Sequence, residues 1–234
     1  MVTAIVVSGG TGSRTGQAVP KQYLTVHDIP VIAYTLMNLQ KVPQIDKILV
    51  VAAEGWESFI YAYAKQFGVT KLSQVVFGGS TRNESIYHGL CALKNDDPAT
   101  PVCIVDANRP LIPQWVFEEA FSLISTDNVI LTAEPCYDSM YFSEDSQTVD
   151  QHIERSKLFK GQSPECAQLS TFMDLHADET SRLNTKLSTS GLALLKNKPV
   201  ILSKGHIKCF KITTADDFEL FKAYLSAEPI SNLI

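Results

Sequence analysis

Short β-branched runs alternate with segments of helical apolar spacing through the first half of this chain, and that alternation restricts the fold more than any other feature. Strand-like runs occupy residues 4–7, 46–52, 73–77, 101–105 and 129–132. Between them, residues 30–39, 56–67, 83–93 and 115–122 carry apolar side chains at a period that fits a helix. A series of this kind builds βαβ units, and βαβ units build a parallel sheet covered by helices. The expected class is therefore α/β. Proline at the head of 30–39 suits a first helical turn, and Gly68 stands where the helix of 56–67 should stop.

The rhythm breaks at residues 136–160, a polar stretch without a long helix that reads as an inserted β-arm. Arms of this kind often reach a partner subunit. Helical patterns resume at 171–176 and 189–195, and late strands are expected at 200–202 and 209–212. A last helix is expected at 215–225, with Thr214 as its N-cap and Asp216 and Asp217 at the positive end of its dipole. No repeat, low-complexity tract or linker divides the 234 residues, so one domain is the simplest division.

Composition removes several function classes. The formal net charge is −5 and no dense basic stripe is present, which argues against a nucleic-acid binder. Mean hydropathy is +0.02 and no apolar run is long enough to span a bilayer. The chain opens on a strand and a glycine loop rather than a leader pattern, so a cytoplasmic location is expected, with no membrane partner. The five cysteines are an odd number without a CxxC, and buried reduced thiols are expected. Cys166 alone lies near a candidate site segment.

The first strand leads into SGGTGSRTGQAVPKQYL, residues 8–24. Gly9, Gly10, Gly12 and Gly16 let backbone N–H groups approach a polyanion without a Cβ in the way. A P-loop would need GxxxxGK[ST], which is absent. A dinucleotide fingerprint would need its third glycine one place earlier and a helix directly after it, whereas Pro20 intervenes. A third option fits better: a longer loop that carries its own cations, Arg14 and Lys21, to neutralise a triphosphate and the charge that builds when it is cleaved.

These residues carry a resemblance. GGTGSRTG…PKQYL is similar to the signature of the cytidylyltransferases that activate sugar-alcohol phosphates, the family of 2-C-methyl-D-erythritol 4-phosphate and ribitol-5-phosphate cytidylyltransferases. In collinear order, FGGSTRNESIYHGL resembles its GG…R…S…GL segment and VDANRP its HDA.RP segment. GQSPE resembles its TPQ segment, most closely the GQTPQ form of the ribitol-phosphate branch, and FKIT…DDFEL its IKVT…DL segment. The resemblance implies a single Rossmann-like domain of the nucleotidyltransferase type, with a mostly parallel mixed sheet flanked by helices. It also implies a reaction in which CTP and a polyol phosphate give a CDP-polyol and pyrophosphate, with Mg²⁺ as cofactor.

Residue by residue, the resemblance assigns Lys21 to the α-phosphate, Arg14 to the leaving group and Lys211 to the phosphates at the reacting centre. It places the nucleotide at Ser8, Gly9, Gly10, Thr11, Gly12, Gly79, Ser80, Ser85 and Ala107. The acceptor falls to Asp106, Arg109, Ser139 and Arg155, with Asp106 also the metal ligand. Gly89 reads as a helix-packing residue. Ser139 and Arg155 lie in the arm, which implies a homodimer with composite active sites.

The chain departs from the pattern at Val105 (a histidine in the family's HDA), at Asp138-Ser139 for the usual Asp-Thr, at Glu165 for the glutamine of TPQ, and at Cys209, beside Lys208, where asparagine is usual. The expected acceptor is D-ribitol 5-phosphate or a related polyol phosphate of surface-polysaccharide pathways. The alternatives are methylerythritol phosphate and a non-catalytic nucleotide-binding regulator. Tyr61 and Lys65 also fit the YxxxK of short-chain dehydrogenases, but far too early in the chain for that fold.

Overall fold

The computed structural model describes residues 1–9 and 20–227. Elements in chain order are β1 (Val2–Ser8), β2 (Thr25–Val26), β3 (Ile29–Pro30), α1 (Val31–Lys41), β4 (Ile45–Ala52), α2 (Glu57–Gln66), β5 (Leu72–Phe77) and α3 (Arg82–Ala92). They continue with β6 (Pro101–Asp106), α4 (Gln114–Ser122), β7 (Val129–Pro135), β8 (Met140–Phe142), β9 (Gln151–Ile153), β10 (Phe159–Gln168) and α5 (Leu169–Leu175). The last are α6 (Glu179–Leu183), α7 (Thr189–Leu195), β11 (Val200–Lys204) and α8 (Ala215–Ala227).

Seven strands form one sheet in the order β11-β7-β10-β6-β1-β4-β5. All neighbours are parallel except β10, which runs antiparallel to both β6 and β7. This is the mostly parallel mixed sheet that the resemblance implied, and its α/β class follows from the alternation.

The strand sequences explain its two-sided burial. Along β1, Ala4 and Val6 join one core cluster with Ile32 and Leu36 of α1, Ile60 of α2 and Phe117 of α4. Ile5 joins the other, with Ile86 and Leu90 of α3 and Phe172 of α5. A strand covered on both faces must be apolar at every position, which is why β1, β4 and β6 read as continuous runs. The helix ends follow the expected chemistry. Pro30 caps α1 with extended dihedrals, and Gly68, at φ +69°, ends α2 while the Val69 N–H donates to the Ala64 carbonyl. Gly89 is held against the sheet: a Cβ there would lie 2.9 Å from Val51 Cγ2 and 3.0 Å from Ile5 Cγ2.

Two expectations need correction, and one strand went unforeseen. Residues 209–212 are not a strand. The chain turns in a 3-10 turn over Ile207–Cys209, and the Ile212 N–H and carbonyl pair with the Asn108 carbonyl and Nδ2 instead of a ladder. The arm is shorter than expected, because Phe159 and Lys160 already pair with Pro135 and Glu134 in the main sheet. What projects is the β8–β9 hairpin and a 3-10 turn over Arg155–Lys157. Finally, β10 was hidden in the sequence, its alternation interrupted by a register shift between Gly161 and Glu165, with a cis bond at Ser163-Pro164. The five cysteines are free thiols. Cys103 and Cys166 face one another from β6 and β10 in the core, and burial pushes both thiols up.

Candidate active site

The carboxyl ends of β1, β4 and β6 lie side by side, where ligands bind in open α/β sheets. Two glycine segments far apart in sequence meet there. A Cβ at Gly9 would lie 3.1 Å from Ser85 Oγ and 3.7 Å from Gly78 Cα, and one at Gly78 would lie 2.9 Å from the same hydroxyl. Ser85 Oγ ties them: it accepts from the Gly79 N–H at 3.0 Å and donates to the Thr81 carbonyl at 2.8 Å. Gly9, Gly79, Ser80 and Ser85 are thus brought together.

Ser80 is already engaged. Its N–H and hydroxyl both donate to Glu84 Oε2, at 2.6 and 2.7 Å. Thr81 caps α3 by accepting from the Glu84 N–H, and the whole turn is held as a unit.

The segment after the glycine loop is fastened by residues the sequence reading left unassigned. Gln22 Nε2 donates to the Ser8 carbonyl at 2.9 Å, and Ser8 Oγ donates to the Tyr23 hydroxyl at 3.1 Å. Tyr23 stacks on Trp56 with ring centroids 3.6 Å apart, and burial pushes its phenol up to about 12. These contacts fix the 3-10 turn that begins at Lys21. Lys21 acts electrostatically on Asp217 at the head of α8. Burial would raise that carboxyl, but N–H donors from Thr214 and Thr213, the Thr214 hydroxyl and the Lys21 charge bring it below its ordinary range. Gly10, Thr11, Gly12 and Arg14 lie outside the described residues.

Asp106, the last residue of β6, is the electrostatic centre. Its side chain is 8% exposed. Arg82 Nε lies 3.4 Å from Oδ1, while Arg109 Nε and Lys211 Nζ each lie 3.1 Å from Oδ2. The Ser163 hydroxyl stands 3.4 Å from Oδ2. Burial alone would raise the Asp106 carboxyl, but Arg82, then Lys211 and Arg109, outweigh it and hold it well below the usual carboxylate range. Arg109 also donates to the Cys209 carbonyl, which seats the chain before Lys211.

The neighbour of Asp106, Ala107, spends its backbone inside the fold: its N–H donates to Val7 and its carbonyl accepts from Thr35 Oγ1 at 2.8 Å. Asp106, Arg109 and Lys211 are therefore gathered into one cluster. Arg82 and Ser163 complete it, and both stood in segments singled out by sequence, GG…R…S and SPE, without being assigned.

Ser139 and Arg155 lie elsewhere. With His152, Glu154 and Ser156 they line a cavity of about 410 Å³ on the arm, and no described contact joins them to Asp106. Tyr61 is a structural residue whose hydroxyl accepts from the Val75 N–H, with Lys65 exposed beside it.

Among the described residues no three His, Cys, Asp or Glu side chains converge as a metal cage. A divalent ion fits here only in the manner of magnesium, which takes one or two carboxylates and fills its shell with phosphate oxygens and water. No described helix is long and apolar enough to cross a membrane.

The chain as a whole is similar to known proteins. The sequence model of the IspD family, 2-C-methyl-D-erythritol 4-phosphate cytidylyltransferase, matches residues 2–227. Ribitol-5-phosphate cytidylyltransferase of Lacticaseibacillus paracasei is 29% identical over 229 residues, covering 96% of this chain and 98% of that protein. The protein of the same name from Streptococcus agalactiae serotype Ia is 30% identical, covering 97% and 96%. The 2-C-methyl-D-erythritol 4-phosphate cytidylyltransferase of Desulforamulus reducens is 31% identical, covering 96% and 95%. The crystal structure of 4-diphosphocytidyl-2C-methyl-D-erythritol synthase from Anaerococcus prevotii superposes with a TM-score of 0.82 at 23% identity, over 97% of this chain and 96% of that one, and so shares the fold.

Proposed function

This chain belongs to the IspD family of cytidylyltransferases, and from that premise we propose that it transfers CMP from CTP to a sugar-alcohol phosphate and releases pyrophosphate. The single observation that carries the reading is the cluster around Asp106. Three cations converge on one buried carboxylate at the end of β6, next to a pair of closely approaching glycine segments. Such a cluster is suited to phosphate oxygens, because Lys211 and Arg109 can pass from one anion to another without leaving the site. The acceptor's phosphate oxygen attacks the α-phosphorus of CTP in line, so the protein positions two anions and stabilises charge, with no covalent intermediate. Lys21 and Arg14 take the phosphates of CTP in this reading. Ser8, Gly9, Gly79, Ser80, Ser85 and Ala107 surround the cytidine.

D-ribitol 5-phosphate is the acceptor we favour, since relatives bearing that activity in their names align over nearly the whole chain, and the GQ before Ser163 resembles the GQTPQ form of that branch. Methylerythritol phosphate is the second reading, favoured by the Desulforamulus relative. The product would feed a cytoplasmic route to cell-wall or capsule polysaccharide. We assign Mg²⁺ to Asp106 together with the phosphates of CTP. Once Lys211 and Arg109 pass to phosphate oxygens, Asp106 would be its protein ligand, and the ion would screen the triphosphate charge. We also assign the cavity of Ser139 and Arg155 to the acceptor phosphate of a neighbouring subunit's site, which makes the protein a homodimer with composite sites.

The test is pyrophosphate release from purified protein with CTP, Mg²⁺ and a panel of polyol phosphates. Ribitol 5-phosphate should give the highest kcat/KM, and excess chelator should abolish turnover. CTP binding without pyrophosphate release from any member would make the protein a nucleotide-binding regulator. Full turnover in chelator would remove the metal.

A further inference from the structure

Glu165 is a carboxylate at the place of the glutamine in the TPQ pattern that GQSPE resembles, and it lies 3% exposed in the middle of the sheet. A buried negative charge must be paired. Both its oxygens are committed. Oε1 accepts from the N–H and hydroxyl of Ser190 in the first turn of α7, at 2.8 and 2.6 Å. Oε2 lies 3.3 Å from Arg82 Nη2.

Arg82 is thus divided between two carboxylates, with its Nε toward Asp106 and its Nη2 toward Glu165. Its third nitrogen, Nη1, is buried and has no hydrogen-bond partner among the described residues. Among the described residues, no other hydrogen bond of this guanidinium competes with the two carboxylates. Its position, and the share of its charge that falls on Asp106, therefore depend on Glu165.

Resting on the reading that Asp106 orients the reacting phosphates, we propose that Glu165 is a positioning residue. It holds Arg82 in a split pairing and so limits how far Arg82 neutralises Asp106. Glutamine at this position would keep an oxygen for Ser190 and turn an N–H₂ donor toward Arg82. Two donors then face each other, and the guanidinium closes on Asp106. Asp106 would have less charge left for Lys211 and Arg109, and the acceptor phosphate would lose its alignment.

The experiment is a double-mutant cycle of Glu165→Gln and Arg82→Lys, read in kcat and in KM for CTP and for the polyol phosphate. Glu165→Gln should lower kcat by roughly 10-fold, the scale of a misplacement near the reacting atoms, with KM for CTP little changed. In the Arg82→Lys background the same change should have little further effect, because coupled residues do not add. An equal loss in both backgrounds, or no loss in wild type, overturns the proposal. Ser190→Ala removes the hydroxyl that donates to Glu165 Oε1 and keeps the backbone N–H. If it reproduces the kinetic loss, Glu165 works by holding α7 and the proposal is wrong.

A second readout does not depend on the reaction. The Arg82 Nε–H resonance, identified by its loss in Arg82→Lys, should shift in Glu165→Gln and stay in place in Ser190→Ala. An unmoved resonance in Glu165→Gln sinks the proposal even if the wild type is active. A wild type that releases no pyrophosphate defeats the functional reading while leaving this test intact.

Discussion

Asp106 concentrates the energetics of the site in one side chain. Its depressed carboxyl pKa means that the pairing with Arg82, Lys211 and Arg109 stabilises the fold at neutral pH. That stability is fully present above the unfolded carboxyl value, near ~3.9, and is lost as pH falls from there toward the lower folded value. Asp106→Asn should cost on the order of 2–3 kcal/mol at pH 7. That is less than a fully buried pair would lose, because Arg82 and Lys211 keep about a third of their side-chain surface in water. Denaturant unfolding should find the difference constant from about pH 8 to 5 and shrinking below about pH 4. A gap that widened on acidification would contradict the assignment. Lys21 belongs to the same scale. Lys21→Ala should lower kcat by roughly 10²-fold, as when a preorganised electrostatic donor is removed, and turnover close to wild type in the folded variant would take Lys21 out of the mechanism.

At the scale of elements, α3 carries both Ser85 and Arg82, so its height over the sheet sets the site. Gly89 fixes that height, since its missing Cβ lets α3 rest on Ile5 and Val51. Gly89→Ala should destabilise by about 1–3 kcal/mol through overpacking, and should lower activity in step by lifting Ser85 and Arg82. A variant with wild-type stability and rate would show that the helix can shift without cost. The helices were largely legible beforehand because capping and apolar spacing are local: α7 spans Thr189–Leu195 as its spacing predicted, and Thr214 and Asp217 head α8. β10 was not legible. It lies antiparallel between two strands, with a register shift and the polar Gln162, Ser163 and Glu165 buried in it, so neither a period of two nor a plain apolar run marks it.

At the scale of the whole molecule, the arm is the part that projects from the main sheet. Tyr137, Tyr141, Phe142 and Val149 are exposed on or beside the β8–β9 hairpin, an unusual concentration of apolar surface for so small an element. Arg155 shares its cavity with Ser139 and touches nothing of the Asp106 cluster in its own chain. If two arms exchange across a C₂ dimer, each site borrows Arg155 from its partner. Arg155→Ala should then raise KM for the polyol phosphate and leave CTP binding nearly unchanged. Mixing Lys21→Ala subunits with Arg155→Ala subunits should restore activity, because one site of the mixed dimer would hold both intact residues. If exchange is verified and the mixture stays as inactive as its parents, the shared-site arrangement is wrong.

The sequence by itself determined the α/β class and the parallel core. Each of these follows from local preference: β-branched runs, helical spacing, glycines after a strand, a proline before a helix. The tertiary structure alone decided which cations meet. Arg109 stands three residues after Asp106, but Arg82 lies 24 residues before it and Lys211 105 after it, and these two reach Asp106 because the start of α3 and the turn after β11 both pack against the end of β6. It also decided that Glu165 carries a burden no local pattern expresses. A buried charge is set by its partners, and the partners of Glu165 come from α3 and α7, brought to β10 by the packing of the whole sheet.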